Sequence, residues 1–204
     1  MDLALQAVAV RDIVERWVVW RDAGEWERLR SLWHPGGRMT TTWFDGTGDE
    51  FVDRSCAAFD RGLRVWHELG GSAVDIEGER AVAQTKVTIS QRAVVEGVEC
   101  DISCTARFHD LLERKDGRWA IVVRRGIYER DRLDPLRGSA PQLDEELLGR
   151  FPEGYRHLAY VQVRAGLDPS TNCAGLTGPE VEALYAEGRA WLGGALPDYD
   201  EEAR

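Results

Sequence analysis

Three kinds of side chain in this sequence could carry chemistry: an aspartate aimed inward, a few histidines, and two adjacent arginines ending an apolar run. The aspartate is Asp22. In segment 10–33 (VRDIVERWVVWRDAGEWERLRSLW), apolar residues recur at Val10, Ile13, Val14, Trp17 and Val18, the spacing of one buried helix face. Asp22 lies four residues beyond Val18 and eight beyond Val14. The same face therefore carries it inward, near a helix C-terminus where the macrodipole disfavours negative charge. Two readings account for it. Asp22-Ala-Gly-Glu25 has capping-box spacing, which makes Asp22 the N-cap of a second helix bearing Trp26, Leu29, Leu32 and Trp33. Alternatively, its carboxylate orients and charges a histidine across a pocket, fixing the tautomer and steadying the imidazolium.

The histidines are His34, His67, His109 and His157, and none has metal-ligand spacing; His67-Glu68 lacks the second histidine of a zinc helix. No metal is expected. No glycine-rich stretch sits between a strand and a helix as a phosphate loop would, and no cofactor is expected; no G-x-S-x-G nucleophile motif occurs either. His67 stands at the start of a strand-like segment, between Trp66 and Leu69-Gly70-Gly71. Arg124 and Arg125 close the apolar run 119–123 (WAIVV), so one of them points into the fold. A buried guanidinium needs an anion or an electron-rich partner. Periodicity leaves open which one it is. Of eight tryptophans, six fall in the first third of the chain, among them Trp17, Trp20 and Trp43. They serve either as ordinary core or as walls of an apolar pocket.

The elements that must hold these groups are readable in outline. After the opening helices, His34-Pro35-Gly36-Gly37 breaks the helical pattern, 39–44 (MTTTWF) reads as a strand and 45–48 as a turn. Segment 49–66 returns to helical spacing, with Phe51, Ser55, Ala58, Phe59 and Leu63 on one side. Four strands follow at 66–76, 81–95, 99–114 and 118–130, with tight turns at 77–80 and 115–117. The third alternates Ile102, Cys104, Ala106 and Phe108 against Ser103, Thr105, Arg107 and His109. Helices followed by long hairpins imply an α+β fold, a curved sheet wrapped around the N-terminal helices. From about Asp131 the chain reads as a linker, then as two helices. One covers 152–165; the other opens at Thr177-Gly-Pro-Glu180, buries Val181, Leu184, Tyr185, Trp191 and Leu192, and stops at Gly193-Gly194. The amphipathic faces of this extension are expected to cover the sheet's open end or a neighbouring subunit. The segment 197–204 (PDYDEEAR) is an acidic tail.

The 204 residues carry a net charge of −10 with no strong basic cluster, which argues against nucleic acid and anionic membrane as partners. No run reaches the ~20 apolar residues that span a bilayer. The start MDLALQAVAVRD lacks a signal peptide's basic region. Cys56, Cys100, Cys104 and Cys173 form no CxxC pair, and a reducing cytoplasm is the expected compartment. Val82 and its alternates leave one sheet face in need of cover, so a homodimer or homotrimer is expected.

The order helix–Asp–helix–strand–helix–strand with histidine–long hairpins ending in "DGRW…R" resembles the SnoaL-like branch of the nuclear-transport-factor-like cone fold. That superfamily includes scytalone dehydratase, hexachlorocyclohexane dehydrochlorinase, ketosteroid isomerase and the bile-acid dehydratase. WRDAGEWERLRSLWHPGG (20–37) resembles its opening helices and KDGRWAIVVRR (115–125) its last hairpin, within a match over about 7–136. The resemblance implies a cone domain at 1–136 and a helical extension at 137–204. It places Asp22 on the acid of a dehydrochlorinase-type dyad, His67 on its general base and Arg124 on the arginine near the leaving group, with Arg125 the fallback. Trp17 stands where the dehydrochlorinase has a polar residue, which implies a different substrate and a more aromatic pocket. Trp17, Trp20, Trp43, Arg125 and Tyr128 are the expected substrate-binding residues. The implied activity is a cofactor-free elimination, a dehydration first of all, on a small, hydrophobic, cyclic metabolite. The alternatives are a non-catalytic binding or assembly module, and a ketosteroid-type isomerase using Tyr128 as oxyanion donor.

Overall fold

The computed structural model describes residues 2–197, so the acidic tail beyond Pro197 lies outside the described residues. The chain runs α1 (Leu3–Ala23), α2 (Trp26–Arg30), β1 (Trp33–Thr40), β2 (Asp45–Thr47), α3 (Gly48–Asp60), β3 (Val65–Glu77), β4 (Arg80–Val95), β5 (Val98–Lys115), β6 (Arg118–Pro135), α4 (Glu145–Leu148), α5 (Arg156–Arg164) and α6 (Pro179–Leu192). The six strands form one sheet in the order β2-β1-β6-β5-β4-β3. Only the β1–β6 pairing is parallel, so the sheet is mixed. Strands of up to 18 residues are too long to stay flat. Register shifts between Leu69 and Ser72 of β3 and at two points of the β5–β6 ladder help them curl. The result is the expected α+β cone.

The long first helix follows from its pattern: Val10, Val14, Trp17, Val18 and Arg21 form the buried face, laid across the concave side of the sheet. Gly24 ends it in the left-handed conformation that glycine tolerates, at φ 75°. Thr47 and Glu50 form a capping box that starts α3. Glycine is required at position 48, where a Cβ would overlap the Trp33 indole.

Several expectations need correction. The first strand begins at Trp33 and runs through His34-Pro35-Gly36-Gly37, because β1 lies beside β6 and its irregular half is accommodated by a register shift between Trp33 and Arg38. The segment 41–44 lies outside the strand. Within the expected turn, Asp45–Thr47 is a short strand paired with β1. Helix α3 stops at Asp60 rather than near Trp66, with Gly62 at φ 94° past its end, and Leu63 is left exposed.

Residues after 136 add to the same core. Leu147, Leu148, Phe151, Tyr155 and Leu158 pack with α1 and the concave face of the sheet. α6 lies on the opposite face, where Trp191 covers Val82, Leu111, Val122 and Val123. Around Val82, the sheet face expected to need another subunit is covered by α6 of the same chain. Among the described residues no helix is long and apolar enough to cross a membrane.

Candidate active site in the cone

α1 continues through Ala23, so Asp22 has helical backbone, and the residue preceding α2 is Glu25. Asp22 therefore caps nothing. Its carboxylate turns to β3, where Oδ2 accepts the His67 backbone N–H at 2.6 Å and Oδ1 meets His67 Nδ1 at 2.7 Å. A carboxylate only accepts, so Nδ1 carries the proton and Nε2 keeps its lone pair. Arg21 tightens the junction between α1 and β3: its Nη1 lies 3.5 Å from Asp22 Oδ1 and donates to the Val65 carbonyl at 3.3 Å. The charge of Arg21 and the two hydrogen bonds from His67 offset the unfavourable helix end.

The His67 side chain is 7% exposed. Burial pushes its pKa below the ordinary 6.5, and this outweighs the opposing hydrogen bond and charge of Asp22. The ring stays neutral at pH 7. Trp17 meets it edge-on at 5.6 Å between centroids, and Phe108 of β5 lies 6.2 Å away.

Of the two arginines, Arg124 enters the cone. It is fully buried, with its Cζ 4.5 Å from the Trp17 ring centre and 4.2 Å from that of Phe108. Asp110 pairs with it from β5, Nε to Oδ1 at 2.6 Å and Nη2 to Oδ2 at 2.7 Å. That fork leaves Nη1 without a hydrogen-bond partner among the described residues. Arg125 faces the other way and pairs with Glu187 of α6.

His67 and Arg124 line one cavity of about 460 Å³, together with Trp17, Met39, Trp43, Phe51, Phe108 and Tyr128. Leu158, Gln162, Ala165 and Leu167 from the C-terminal extension close it on one side. The Tyr128 hydroxyl accepts the Thr42 N–H at 3.2 Å, and burial raises the phenol's pKa well above its usual 10, so it stays protonated. The expected set is thus brought together in part: Asp22 holds His67, and His67, Arg124, Trp17, Trp43 and Tyr128 share the cavity. Trp20 does not line it; its ring sits between Arg16 and Arg28, with the guanidinium carbons 5.5 and 4.8 Å from its centre. Trp20 is three residues from Trp17, but its ring turns off the buried face that Trp17 holds. Arg125 lines a second depression of about 670 Å³ on the far side of Thr40–Trp43, where Arg38–Asp45 is also an ion pair.

Sequence reasoning missed Asp110, Ser55 as a cavity residue, and Gln162. Asp110 had a signal: it continues the inward alternation of Ile102, Cys104, Ala106 and Phe108. Ser55 had a weaker one: helical spacing sets it on the same side of α3 as Phe51. Gln162 had none.

The model of the SnoaL-like domain matches residues 3–125. A PEP2-like protein of Fusarium vanettenii is 35% identical over 94% of this chain and 88% of its own length. Pea pathogenicity protein 2 of the same fungus is 38% identical over 80% of the chain and 72% of its own. Among solved structures, a hexachlorocyclohexane dehydrochlorinase superposes with a TM-score of 0.58 at 18% identity, covering 68% of this chain and 95% of that one. A putative scytalone dehydratase of Novosphingobium aromaticivorans gives 0.55 at 15% identity, over 69% and 97%. At such identities these two bear on the fold alone.

Proposed function

The chain belongs to the SnoaL-like domain family, and on that premise we propose that it is a cofactor-independent lyase that eliminates water from a small, hydrophobic cyclic molecule. The observation that carries the reading is the 2.7 Å contact of Asp22 Oδ1 with Nδ1 of His67, a histidine that lines an apolar cavity together with Arg124. Neighbours of the same fold include proteins named as a dehydratase and a dehydrochlorinase, which fits an elimination.

In this mechanism His67 Nε2 takes a proton from the carbon next to the one bearing the hydroxyl. The C–H electron pair becomes the new C=C bond as the C–O bond breaks. Arg124 Nη1 donates to the departing oxygen, and the proton held at Nε2 leaves with it as water, so the protein ends as it began. Asp22 stabilises the transient imidazolium and holds Nδ1–H, as the aspartate of a triad does. A base of lowered pKa is already deprotonated at neutral pH, at some cost in proton affinity.

The test is a panel of cyclic β-hydroxy ketones, followed by the ultraviolet absorption of the enone product and by loss of the α-proton signal in D2O. Wild-type protein should turn over or exchange at least one member, and His67→Ala should lose that activity. Equal rates for wild type and His67→Ala, or no reaction with any member, would overturn the reading.

A further inference from the structure

Five side-chain polar atoms of cavity-lining residues are buried and unpartnered among the described residues: Trp17 Nε1, Arg21 Nε, Ser55 Oγ, Arg124 Nη1 and Gln162 Oε1. Leaving a buried donor or acceptor unpaired costs free energy that a sequence avoids elsewhere by pairing it. All five belong to residues that line one cavity, which makes an occupant of that cavity the candidate source of the missing partners.

Their chemistry constrains that occupant. Trp17, Arg21 and Arg124 can only donate, so the molecule presents acceptor oxygens to them. Ser55 and Gln162 can each donate and accept, and a hydroxyl satisfies both however the amide is oriented. The inner charges are already balanced, Arg124 by Asp110 and Arg21 by Asp22. Arg54 and Arg61 also line the cavity but are exposed and screened by water. A carboxylate would therefore lose its hydration without gaining a net counter-charge. The apolar remainder, Met39, Trp43, Phe51, Ile89 and Phe108, suits a ring system.

Gln162 adds a second point. It sits on α5, beyond the residues matched by the family model, and is 7% exposed. We propose that the cone binds a neutral cyclic molecule carrying a carbonyl or similar acceptor and a separate hydroxyl, and that Gln162 of the C-terminal extension is the specificity-determining residue that reads that hydroxyl. This rests on the assignment of the cone as the substrate site and deepens it. Residues 3–125 supply the dyad; α5 selects what it acts on.

Calorimetric titration of the full chain with indane, indanone, a hydroxyindanone with its hydroxyl on the far ring, and an indane carboxylate tests this without turnover. Wild type should bind the hydroxyindanone about tenfold tighter than indanone, and indanone tighter than indane, with no gain for the carboxylate. Gln162→Leu should erase the hydroxyindanone preference while keeping that for indanone over indane; Gln162→Met checks the same point if the leucine variant melts early. If water alone satisfies the five atoms, indane binds as well as the hydroxyindanone and the proposal fails. It fails equally if Gln162→Leu and Gln162→Met keep the preference, if the carboxylate binds tightest, or if neither oxygenated probe binds. The wild-type order without any turnover would sink the elimination reading and leave the ligand class standing.

Discussion

Among the described residues, two aspartate–histidine pairs are built to the same plan. Asp22 gives one oxygen to His67 Nδ1 and the other to the His67 backbone N–H. Asp131 of β6 gives one oxygen to His157 Nδ1 at 2.9 Å and the other to the Leu158 backbone N–H at 2.8 Å. The surroundings differ. The first imidazole opens onto an aromatic cavity beside a buried guanidinium. The second lies in the first turn of α5, with a side chain 24% exposed, and is not among the cavity-lining residues. There the Asp131 carboxylate satisfies an amide that a helix start leaves open. A carboxylate on an imidazole is thus a joint before it is a catalyst. What the free ring nitrogen faces decides which it becomes.

The comparison breaks first at the dyad. Asp22→Asn keeps the shape but loses the charge and can hold the wrong tautomer, so turnover should fall by about 10²–10⁴, and His67→Ala should fall as far. The double variant should be little worse than either single one, as for residues acting as a unit. Asp131→Asn and His157→Ala should leave the rate within about twofold. Steady-state kinetics on any substrate found above decides; equal losses in both pairs would erase the distinction.

A third histidine sharpens the comparison through pH. Among the described residues His109 has no carboxylate partner, and it lies under α6, against Gly188 and Tyr185. Burial first, then the charges of Arg125 and Arg107, pushes its pKa down to about 4. Between about pH 6.5 and 4 the unfolded chain takes up a proton that the folded chain refuses. Stability should therefore fall with pH through that window, by about 3 kcal/mol from this residue. Urea unfolding of His109→Phe at the two ends of the window should show a smaller loss than wild type. In the proposed mechanism the neutral form of His67 is the base, and burial lowers its pKa as well, so the acid limb of the rate profile should lie below 6.5.

Smaller effects follow. Asp131→Ala removes the bond to the Leu158 amide and the hold on His157, and should cost about 1–2 kcal/mol with little change in the rate per folded molecule, read by chemical denaturation. Trp20→Ala should leave ligand affinity within about twofold, whereas Trp17→Ala removes a wall of the cavity and a neighbour of His67 and Arg124. Equal losses from both tryptophans in the calorimetric titration would contradict their placement.

Much of this was legible in the chain. The helical period of Val10, Val14, Trp17 and Val18 sufficed to aim Asp22 inward, because packing fixes which face of an amphipathic helix is buried. Alternation along β5 sufficed to place Phe108 inside, and carried one step further it reaches Asp110. The start of α6 at Pro179 followed from the missing N–H that a first turn tolerates. Tertiary structure decided the rest. Whether Asp22 capped a helix or held a histidine depended on α1 running on to Ala23 and on β3 lying beside it, 45 residues later in the chain. The choice between Arg124 and Arg125 depended on a bulge: Leu111 pairs with Val123 but Leu112 with Ile121, so the extra residue at Val122 reverses the alternation. Periodicity could not settle the choice, because the bulge breaks the alternation begun at Trp119 and Ile121 and turns Arg124 inward. Gln162 reaches the cavity only because α5 folds back over the open end of the cone, a contact between distant segments that no local pattern encodes.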